Sequence, residues 1–463
     1  MTDLANSPAA RDIASVLHPY TNLATHLENG PMIIERGKGI YVYDDSGKEY
    51  IEGLAGLWCT ALGFGVEELV EAAAEQMRKL PYYHIFASKS TGPAIDLADR
   101  LTNMLPVDRA KIFFANSGSE ANDSLIKMVW YYSNARGKPE KKKIISRQRA
   151  YHGVTIASAS LTGLPNNHRS FDLPIDRILH TESPHYYHDA NAGESEEEFS
   201  TRLADSLDRM IEAEGPETVA AFIAEPVMGA GGVIIPPSGY FDKIQAVLAK
   251  HDVMFLDDEV ICGFGRTGNP FGCQTYGIKP DTMTIAKALS SAYLPISAVA
   301  INNEMFEGVM EESNRIGVFG HGFTYSGHPV SAAVALKNLE LIEERDVMGH
   351  AARVSPVFQS RLKALADHPL VGEARGVGLL GAVELVADKS TRRNFQPTQG
   401  AGAYLSARAT DHGLIIRAMG DSIGLCPPLI ISEAEINELF DRLTTALNET
   451  EAWVDSNNLR TAD

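Results

Sequence analysis

The stretch VMFLDDEVICGFGRTG, residues 253–268, decides the fold because it joins a short apolar run to two acids and a glycine-rich loop. Val253 to Leu256 predict a buried strand, and Asp258 stands just beyond its carboxyl end. Ligands of open α/β sheets bind at that edge, where a carboxylate can hold a protonated ring nitrogen. The competing interpretation is that Asp258 and Glu259 only cap or solvate the end of the strand.

Residues 263–268 of this stretch match the dinucleotide-binding pattern GxGxxG. That pattern binds a pyrophosphate only where the loop opens directly into a helix. The letters NPFG follow here and predict a continuing loop, and the acids Asp258 and Glu259 would repel a pyrophosphate. The sequence therefore disfavours a nicotinamide or flavin enzyme.

Outward from this stretch, short apolar runs alternate with helical segments. The runs and helices are KIFFA, SEANDSLIKMVWYYSNA, KKIIS, VAAFIAE, FDKIQAVLAKH and TMTIA. Such alternation is typical of an α/β domain with a largely parallel sheet. A short helix (HPYTNLATHLENG) and a hairpin (GIYVY and EYIEG, turning at residues 44–47) precede it, and helices around a strand-like run, GLLGAVELVA, follow it. We therefore expect a large α/β domain at 71–329 and a smaller domain built from 1–70 and 330–463.

The composition excludes several classes of partner. The 463 residues carry a formal net charge of −19, which disfavours nucleic acid and anionic membranes. The four cysteines are scattered and contain no CxxC pair, which indicates reduced thiols rather than a disulfide scaffold or a zinc site. The N-terminal sequence shows no export signal. The longest uncharged stretches, such as residues 226–241, are rich in glycine and proline and poorly suited to spanning a membrane, so we expect a soluble cytoplasmic protein.

Two further segments carry candidate chemistry. Lys287 lies in TIAKALSS, just after a predicted strand, and a lysine in surroundings of low polarity becomes a usable nucleophile. Most lysines in apolar segments, however, only extend to the surface. Ser117-Gly118-Ser119 follows the run KIFFA and opens a helix, where backbone N–H groups and hydroxyls can bind a phosphate. The alternative is an ordinary serine cap with Asn122 and Asp123 in the first turn.

Other catalytic patterns are missing from the sequence. It contains no HExxH, no Walker loop and no GxSxG before a helix. His84, His152, His321 and His328 show no metal-ligand spacing, so we expect packing or indirect roles for them and no metal. Glu225, at the end of VAAFIAE, is expected to act behind the residues that touch the ligand.

Seven motifs in order along nearly the whole chain resemble those of the class III aminotransferases of pyridoxal-phosphate (PLP) fold type I. They are GLAGLWCTALGFG, FFANSGSEAND, AYHG, AEPVMGAGGV, DDEVICGFGRTG, TIAKALSS and HGFTYSGHP. Within the class, LWC, GFTYSGHP and IIRAMGD are most similar to the omega-amino acid and amine:pyruvate transaminases. The resemblance implies an α/β fold whose large domain holds a mostly parallel seven-stranded sheet, beside a smaller α+β domain from both termini.

The resemblance also implies how the cofactor is held. Lys287 would bind PLP covalently, and Asp258 would keep the pyridine nitrogen protonated. Val260 would pack on one face of the ring and Tyr151 on the other. The cradle Ser117-Gly118-Ser119 would receive the phosphate.

The substrate and partner residues that the resemblance implies lie farther apart in the chain. Thr324 would reach the phosphate from a neighbouring subunit, which implies a homodimer with sites at the interface, or a dimer of dimers. Trp58, Phe86 and Ala230 would line the substrate pockets. Arg417 resembles the mobile arginine that binds the keto-acid carboxylate. The competing interpretation is that Arg417 only forms a surface or interface ion pair with Asp421.

The reaction that follows moves an amino group from an amine or omega-amino acid to a keto acid, with pyruvate expected as acceptor. It has two stages, in which PLP becomes pyridoxamine 5'-phosphate and is then restored. One alternative is an enzyme that pairs a metabolic diamine with 2-oxoglutarate, whose second carboxylate needs a second cation. Others are a decarboxylase or aminomutase of the same fold, and a binding protein, which the intact pair Lys287 and Asp258 disfavours.

Overall fold

The computed structural model describes residues 6–461. Residues 1–5, where the N-terminal sequence without an export signal begins, and residues 462–463 lie outside the described part. In chain order the strands are β1 (Ile34–Lys38), β2 (Tyr41–Asp44), β3 (Glu49–Glu52), β4 (Lys111–Ala115), β5 (Lys143–Arg147), β6 (Ile178–Thr181), β7 (Val219–Ala224), β8 (Met254–Asp258), β9 (Thr282–Ile285), β10 (Ser297–Ile301), β11 (Val371–Val377), β12 (Leu380–Leu385), β13 (Leu414–Ile415), β14 (Arg417–Met419) and β15 (Ser422–Leu425).

Helices cover the sheets and connect most of the strands. In chain order they are α1 (Pro8–Ser15), α2 (Leu23–Asn29), α3 (Ala55–Trp58), α4 (Glu67–Lys79), α5 (Gly92–Met104), α6 (Gly118–Ala135), α7 (Ile156–Leu161), α8 (Tyr186–Asp189), α9 (Glu196–Glu214), α10 (Tyr240–Lys250), α11 (Gly272–Tyr276), α12 (Asn303–Ile316), α13 (Pro329–Glu344), α14 (Val347–Ala364), α15 (Ala401–Asp411) and α16 (Glu433–Ser456). Within residues 6–461, no helix combines the length and the apolar composition that crossing a membrane requires.

The large sheet has seven strands in the order β4-β10-β9-β8-β7-β5-β6. Strands β9, β8, β7, β5 and β6 pair in parallel, whereas β10 runs antiparallel to β4 and β9. Strand β7 is buried along its whole length, as its uninterrupted apolar sequence requires in a sheet covered on both faces. The expected α/β fold with a mostly parallel seven-stranded sheet is confirmed.

Two four-stranded sheets form the smaller part of the molecule, in the orders β1-β2-β3-β13 and β11-β12-β15-β14. In the first sheet the hairpin of β2 and β3 pairs in parallel with β13, where Leu414 stands opposite Ile51. The two ends of the chain therefore meet in one sheet, in agreement with a smaller domain from both termini. The boundaries at 70/71 and 329/330 stay a prediction.

Several local expectations differ from the structure by a few residues. Strand β8 extends to Asp258, so this acid ends the strand instead of following it. The stretch 263–268 is a loop, and the next helix, α11, begins only at Gly272. Helix α2 is shorter than its predicted segment because Asn22 caps it, with Oδ1 accepting the N–H groups of Ala24 and Thr25.

Candidate active site

A cavity of about 330 Å³ lies at the carboxyl edge of the large sheet, where β4, β7, β8 and β9 end. Seven of the residues expected to bind the cofactor line this cavity: Ser117, Gly118, Ser119, Tyr151, Asp258, Val260 and Lys287. Glu225, Asn122 and His152 line it as well. The structure therefore brings together residues that are up to 170 positions apart in the sequence.

Asp258 is held rigidly at the end of β8. Its Oδ2 accepts the side-chain N–H of Asn122 at 2.9 Å and lies 2.7 Å from Nδ1 of His152. Its Oδ1 accepts the backbone N–H of Val260 at 3.2 Å. The carboxylate is almost completely buried, and the imidazole of His152 is its closest titratable partner. A buried carboxylate fixed in this way is suited to a cationic ring nitrogen in the cavity.

Lys287 follows β9 and begins a short 3₁₀ turn that ends at Leu289. Its φ of 49° lies in the left-handed region, which non-glycine residues adopt mainly where the surroundings enforce it. Asn338, buried on α13, secures the turn by donating to the carbonyls of Ala288 and Leu289 at 2.9 and 3.0 Å. The backbone thus places the lysine at the cavity, and its covalent link to the cofactor stays a prediction.

The phosphate cradle opens α6, a helix of 18 residues. Ser117 caps it by accepting the N–H of Glu120 at 3.1 Å, and the Ser119 hydroxyl accepts the N–H of Val154 at 3.1 Å. The N–H groups of Gly118 and Ser119 lie in the first turn and have no acceptor within the helix, so they are free to bind an anion. A Cβ on Gly118 would lie 3.3 Å from the Val260 side chain, a tight contact that a larger residue could relieve only by displacing Val260.

The cavity residues fit PLP on several independent observations. An anion cradle, a buried carboxylate and the amine of Lys287 all line the same cavity. Nε2 of His152 and Oδ1 of Asn122 are buried without hydrogen-bond partners in the described part of the chain. Such unsatisfied polar atoms usually mark a place where a ligand or water completes the network.

Glu225 supports the cavity wall from behind. Its two carboxylate oxygens accept the backbone N–H groups of Tyr151 and Gly229, each at 3.0 Å. Burial raises the pKa of Glu225, and the negative charge of Asp258 raises it further. Its hydrogen bonds fix the backbone that carries Tyr151, which agrees with the indirect role expected for it.

The remaining predicted residues do not line the cavity of the single chain. Trp58 ends α3 and is buried, with its ring 3.1 Å from where a Cβ on Gly424 would stand. Arg417 pairs with Gly424 across β14 and β15, so the arginine and the tryptophan flank the same glycine. Ala230 lies half-buried just after the cavity-supporting Gly229.

Arg417 makes no ion pair with Asp421, whose Oδ1 accepts the N–H of Gly402 at 3.0 Å instead. Within residues 6–461 the Arg417 side chain has no hydrogen-bond or ion-pair partner. Burial raises the pKa of the Tyr151 phenol, the Tyr20 hydroxyl raises it further, and the positive charge of Arg417 opposes the rise. Arg417 is therefore close enough to the cavity to act on its charges.

Phe86 and Thr324 lie together on the surface, away from the cavity. The Tyr82 hydroxyl donates to the Thr324 carbonyl at 2.8 Å, and the Phe86 ring approaches Gly322. Phe86 is 45% exposed and Tyr325, beside Thr324, is 60% exposed. The roles predicted for Phe86 and Thr324 need a second subunit and stay predictions.

Three residues that the sequence did not single out take part in the site. Asn122 stands four residues after Gly118 on α6, so helical spacing places both on one face, and this signal was available. Asn338 and Tyr20 carried no local signal, because only the tertiary fold brings them near the cavity. Tyr20 accepts a hydrogen bond from Asn167 at 2.6 Å and stands beside Tyr151.

The four histidines considered in the sequence have different environments. His152 contacts Asp258, as described. The Nδ1 atoms of His84 and His328 accept backbone N–H groups of Phe86 and Val330, at 3.2 and 3.3 Å. His321 lies 2.8 Å from Nζ of Lys127, outside the cavity.

Comparison with known proteins gives the same result over almost the whole chain. The family model of the class-III aminotransferases matches residues 23–447. The omega transaminase of Pseudomonas jessenii in complex with pyridoxamine phosphate superposes with a TM-score of 0.96 at 56% identity, covering 97% of this chain and 99% of that chain.

Two plant enzymes extend the comparison to curated relatives. The gamma aminobutyrate transaminase 3 of Solanum lycopersicum, named as chloroplastic, is 51% identical over 98% of this chain and 88% of its own length. The vanillin aminotransferase of Capsicum annuum is 52% identical over 98% of both chains.

Proposed function

The chain belongs to the class III aminotransferases, and we propose that it moves amino groups from an amine or omega-amino acid to pyruvate. Enzymes of this class use PLP, and a neighbour of known structure binds pyridoxamine phosphate. The observation that carries the choice of acceptor is the guanidinium of Arg417, which has no ion-pair partner among residues 6–461 and whose charge acts on Tyr151 at the cavity wall.

Different residues of the cavity have different roles in the transfer of the amino group. Bound PLP supplies a ring that stabilises negative charge developing on the substrate carbon. Asp258 holds a proton at the ring nitrogen, because its carboxylate is fixed by Asn122 and His152. Nζ of Lys287, once free and neutral, accepts the proton from the substrate carbon and later returns it. The N–H groups of Gly118 and Ser119 bind the phosphate and fix the orientation of the ring.

The acceptor is argued from charge. A guanidinium binds a carboxylate with two parallel hydrogen bonds, and Arg417 has no other partner among the described residues. A diacid such as 2-oxoglutarate carries a second carboxylate that requires a second cation, and we assign no second arginine of the described residues to that role. Pyruvate, with one carboxylate, matches one arginine.

The donor class follows from the relatives and from the same arginine. Relatives named gamma aminobutyrate transaminase make gamma-aminobutyrate a candidate donor, and the vanillin aminotransferase makes an aromatic amine another. Arg417 would bind the carboxylate of an omega-amino acid and move aside for an uncharged amine. We therefore expect both kinds of donor to react.

We also propose a homodimer in the cytoplasm. Four exposed aromatic residues form one patch: Tyr82, Tyr83, Phe86 and Tyr325. Contiguous exposed apolar surface of this kind usually marks an interface, whereas single exposed apolar residues do not. Thr324 lies within the patch. Covering this patch with a second copy would bring Phe86 and Thr324 of one subunit to the site of its partner. Light scattering of the purified protein measures the mass, and fractionation of cells measures the location.

One experiment tests the reaction. The purified enzyme is mixed with (S)-1-phenylethylamine, β-alanine or gamma-aminobutyrate and with pyruvate or 2-oxoglutarate, and alanine and glutamate are measured. We expect alanine from pyruvate with each donor. Glutamate formation that exceeds alanine formation would overturn the acceptor, and carbon dioxide release without amino transfer would overturn the transamination.

A further inference from the structure

Two histidines and one aspartate converge in the N-terminal segment, outside the cofactor cavity. Asp12 lies on α1, His18 in the following loop and His26 on α2. Oδ1 of Asp12 is 2.8 Å from Nε2 of His18 and 3.2 Å from Nε2 of His26. The two imidazole rings are 4.2 Å apart between centroids. Three ligand-type atoms from three separate elements therefore meet at one point.

The distances between these atoms suit a metal ion. In a tetrahedral zinc site with bonds of about 2.0–2.1 Å, the ligand atoms are about 3.3 Å apart. The 3.2 Å distance to His26 is close to that value, the 2.8 Å distance to His18 would have to lengthen by about 0.5 Å, and all three atoms lie within 4.8 Å of one another. Small side-chain rotations would open room for the ion, since the side chains are 22% (Asp12), 28% (His18) and 8% (His26) exposed.

We propose that Asp12, His18 and His26 bind a divalent transition-metal ion of the Zn²⁺ class, with water in the fourth position. Imidazole and carboxylate are ligands that such ions prefer. Asp12 makes no ion pair with lysine or arginine in the described part of the chain, so its charge is available to the ion. Neither Nδ1 atom has a partner there, so each ring can carry its proton on Nδ1 and present the Nε2 lone pair.

Three other groups of potential ligands in residues 6–461 are poorer candidates. In the group with His185 and His188, the carboxylate of Glu384 is bound by Arg375 at 2.7 Å. In the group with His251, Asp208 is bound by Lys250 at 2.8 Å. The third group, Asp257, Glu259 and Cys273, is buried throughout and offers no route of entry. Only the N-terminal group combines access with freedom from a competing cation.

The ion would fasten the loop that carries Tyr20. That loop lies between His18 and α2, and its Tyr20 hydroxyl accepts from Asn167 and stands beside Tyr151 at the cavity. Joining α1, the loop and α2 through one ion would restrict the movement of this segment over the cavity. The metal site itself does not depend on which donor or acceptor the enzyme uses.

Metal titration of the untagged holoenzyme tests the site. The enzyme is stripped with a chelator, dialysed, and titrated with Zn²⁺ in competition with a chromophoric chelator. We expect Asp12→Asn, His18→Gln and His26→Gln each to bind one equivalent fewer than the wild type, or to bind it far more weakly. Replacing a residue that only hydrogen-bonds to a metal ligand lowers metal affinity by about 10–100-fold. Replacing a ligand itself should lower the affinity for Zn²⁺ by more than that.

A matched variant separates this site from general histidine binding. His412→Gln removes a partly exposed histidine that pairs with Glu449 at 2.8 Å and lacks a third ligand, so it should keep the wild-type stoichiometry. Co²⁺ added to the stripped enzyme should give visible ligand-field bands that His26→Gln abolishes. Thermal unfolding checks that each variant is folded. An unaltered equivalent in all three variants, or a wild type that binds no ion, would overturn the proposal.

Discussion

Nδ1 of His152 lies 2.7 Å from Oδ2 of Asp258, and both side chains are buried. Asn122 donates to the same oxygen at 2.9 Å, so two groups from different elements orient one carboxylate. His152 keeps its other ring nitrogen buried without a partner in the described residues, which indicates that a ligand or water completes the hydrogen bonding there. The charge of Asp258 is thereby directed into the cavity.

Replacing Asp258 by asparagine keeps the shape of the side chain and removes its charge. We expect kcat to fall by about 10²–10³-fold, because a preorganised charge that stabilises the transition state is lost. Steady-state kinetics measures the fall, and the visible absorption of bound cofactor shows that binding is kept. Asp257→Asn is the matched control, since Asp257 points to the other face of β8 and should leave kcat within about twofold. Equal losses in both variants would contradict the role of Asp258.

Replacing Lys287 by alanine removes the only lysine that lines the cavity in the described chain. We expect the covalent link to the cofactor and the turnover to be lost together, because one amine serves both. Absorption spectra and reduction with borohydride followed by mass spectrometry measure the link. Lys279→Ala, which removes an exposed lysine eight residues earlier, should change neither. A retained link in Lys287→Ala would mean that another lysine carries the cofactor.

The strands of the large sheet were predictable where the sequence is uninterruptedly apolar. VAAFIA and MFLDD lie between other strands and under helices, so both faces of each strand are buried. Their largely apolar sequences predict this burial. Strand β1, IERGK, was not predicted because it is largely exposed and lacks an alternating pattern. Its position depends on pairing with β2, which no local signal encodes.

The candidate site was predictable to the extent that its residues stand at strand ends. Asp258, Lys287 and the Ser117-Gly118-Ser119 cradle each follow an apolar run, and parallel strands bring such ends to one edge. Asn338 reaches the site from α13 through hydrogen bonds to two carbonyls, a contact that no spacing rule foresees. Phe86 and Thr324 lie on the surface of one chain, so their predicted roles require a partner that sequence patterns do not position.

Replacing Arg417 by alanine tests the recognition of the carboxylate. We expect KM for pyruvate to rise by about 10–100-fold, because hydrogen bonds to a charged group contribute about 1.5–3 kcal/mol. The KM for a neutral amine should change little, because it has no carboxylate for Arg417 to bind. Initial rates with each substrate varied in turn measure the two constants. Asp421→Asn is the control, because Asp421 binds Gly402 and not Arg417. A rise in both constants by the same factor would remove the assigned role.

Glu52 makes stability depend on pH. Burial raises its pKa from 4.5 to about 7, although its carboxylate accepts the N–H of Leu54 at 2.9 Å. Since the folded state holds the proton more tightly, the stabilising contribution is complete below pH 4.5 and is lost as pH rises through 7. Glu52→Gln resembles the protonated side chain. We expect it to match the wild type at pH 4.5 and to be more stable at pH 8, by on the order of 3 kcal/mol. Thermal unfolding of both proteins at the two pH values measures this, and an equal difference at both would show that Glu52 does not titrate in this range.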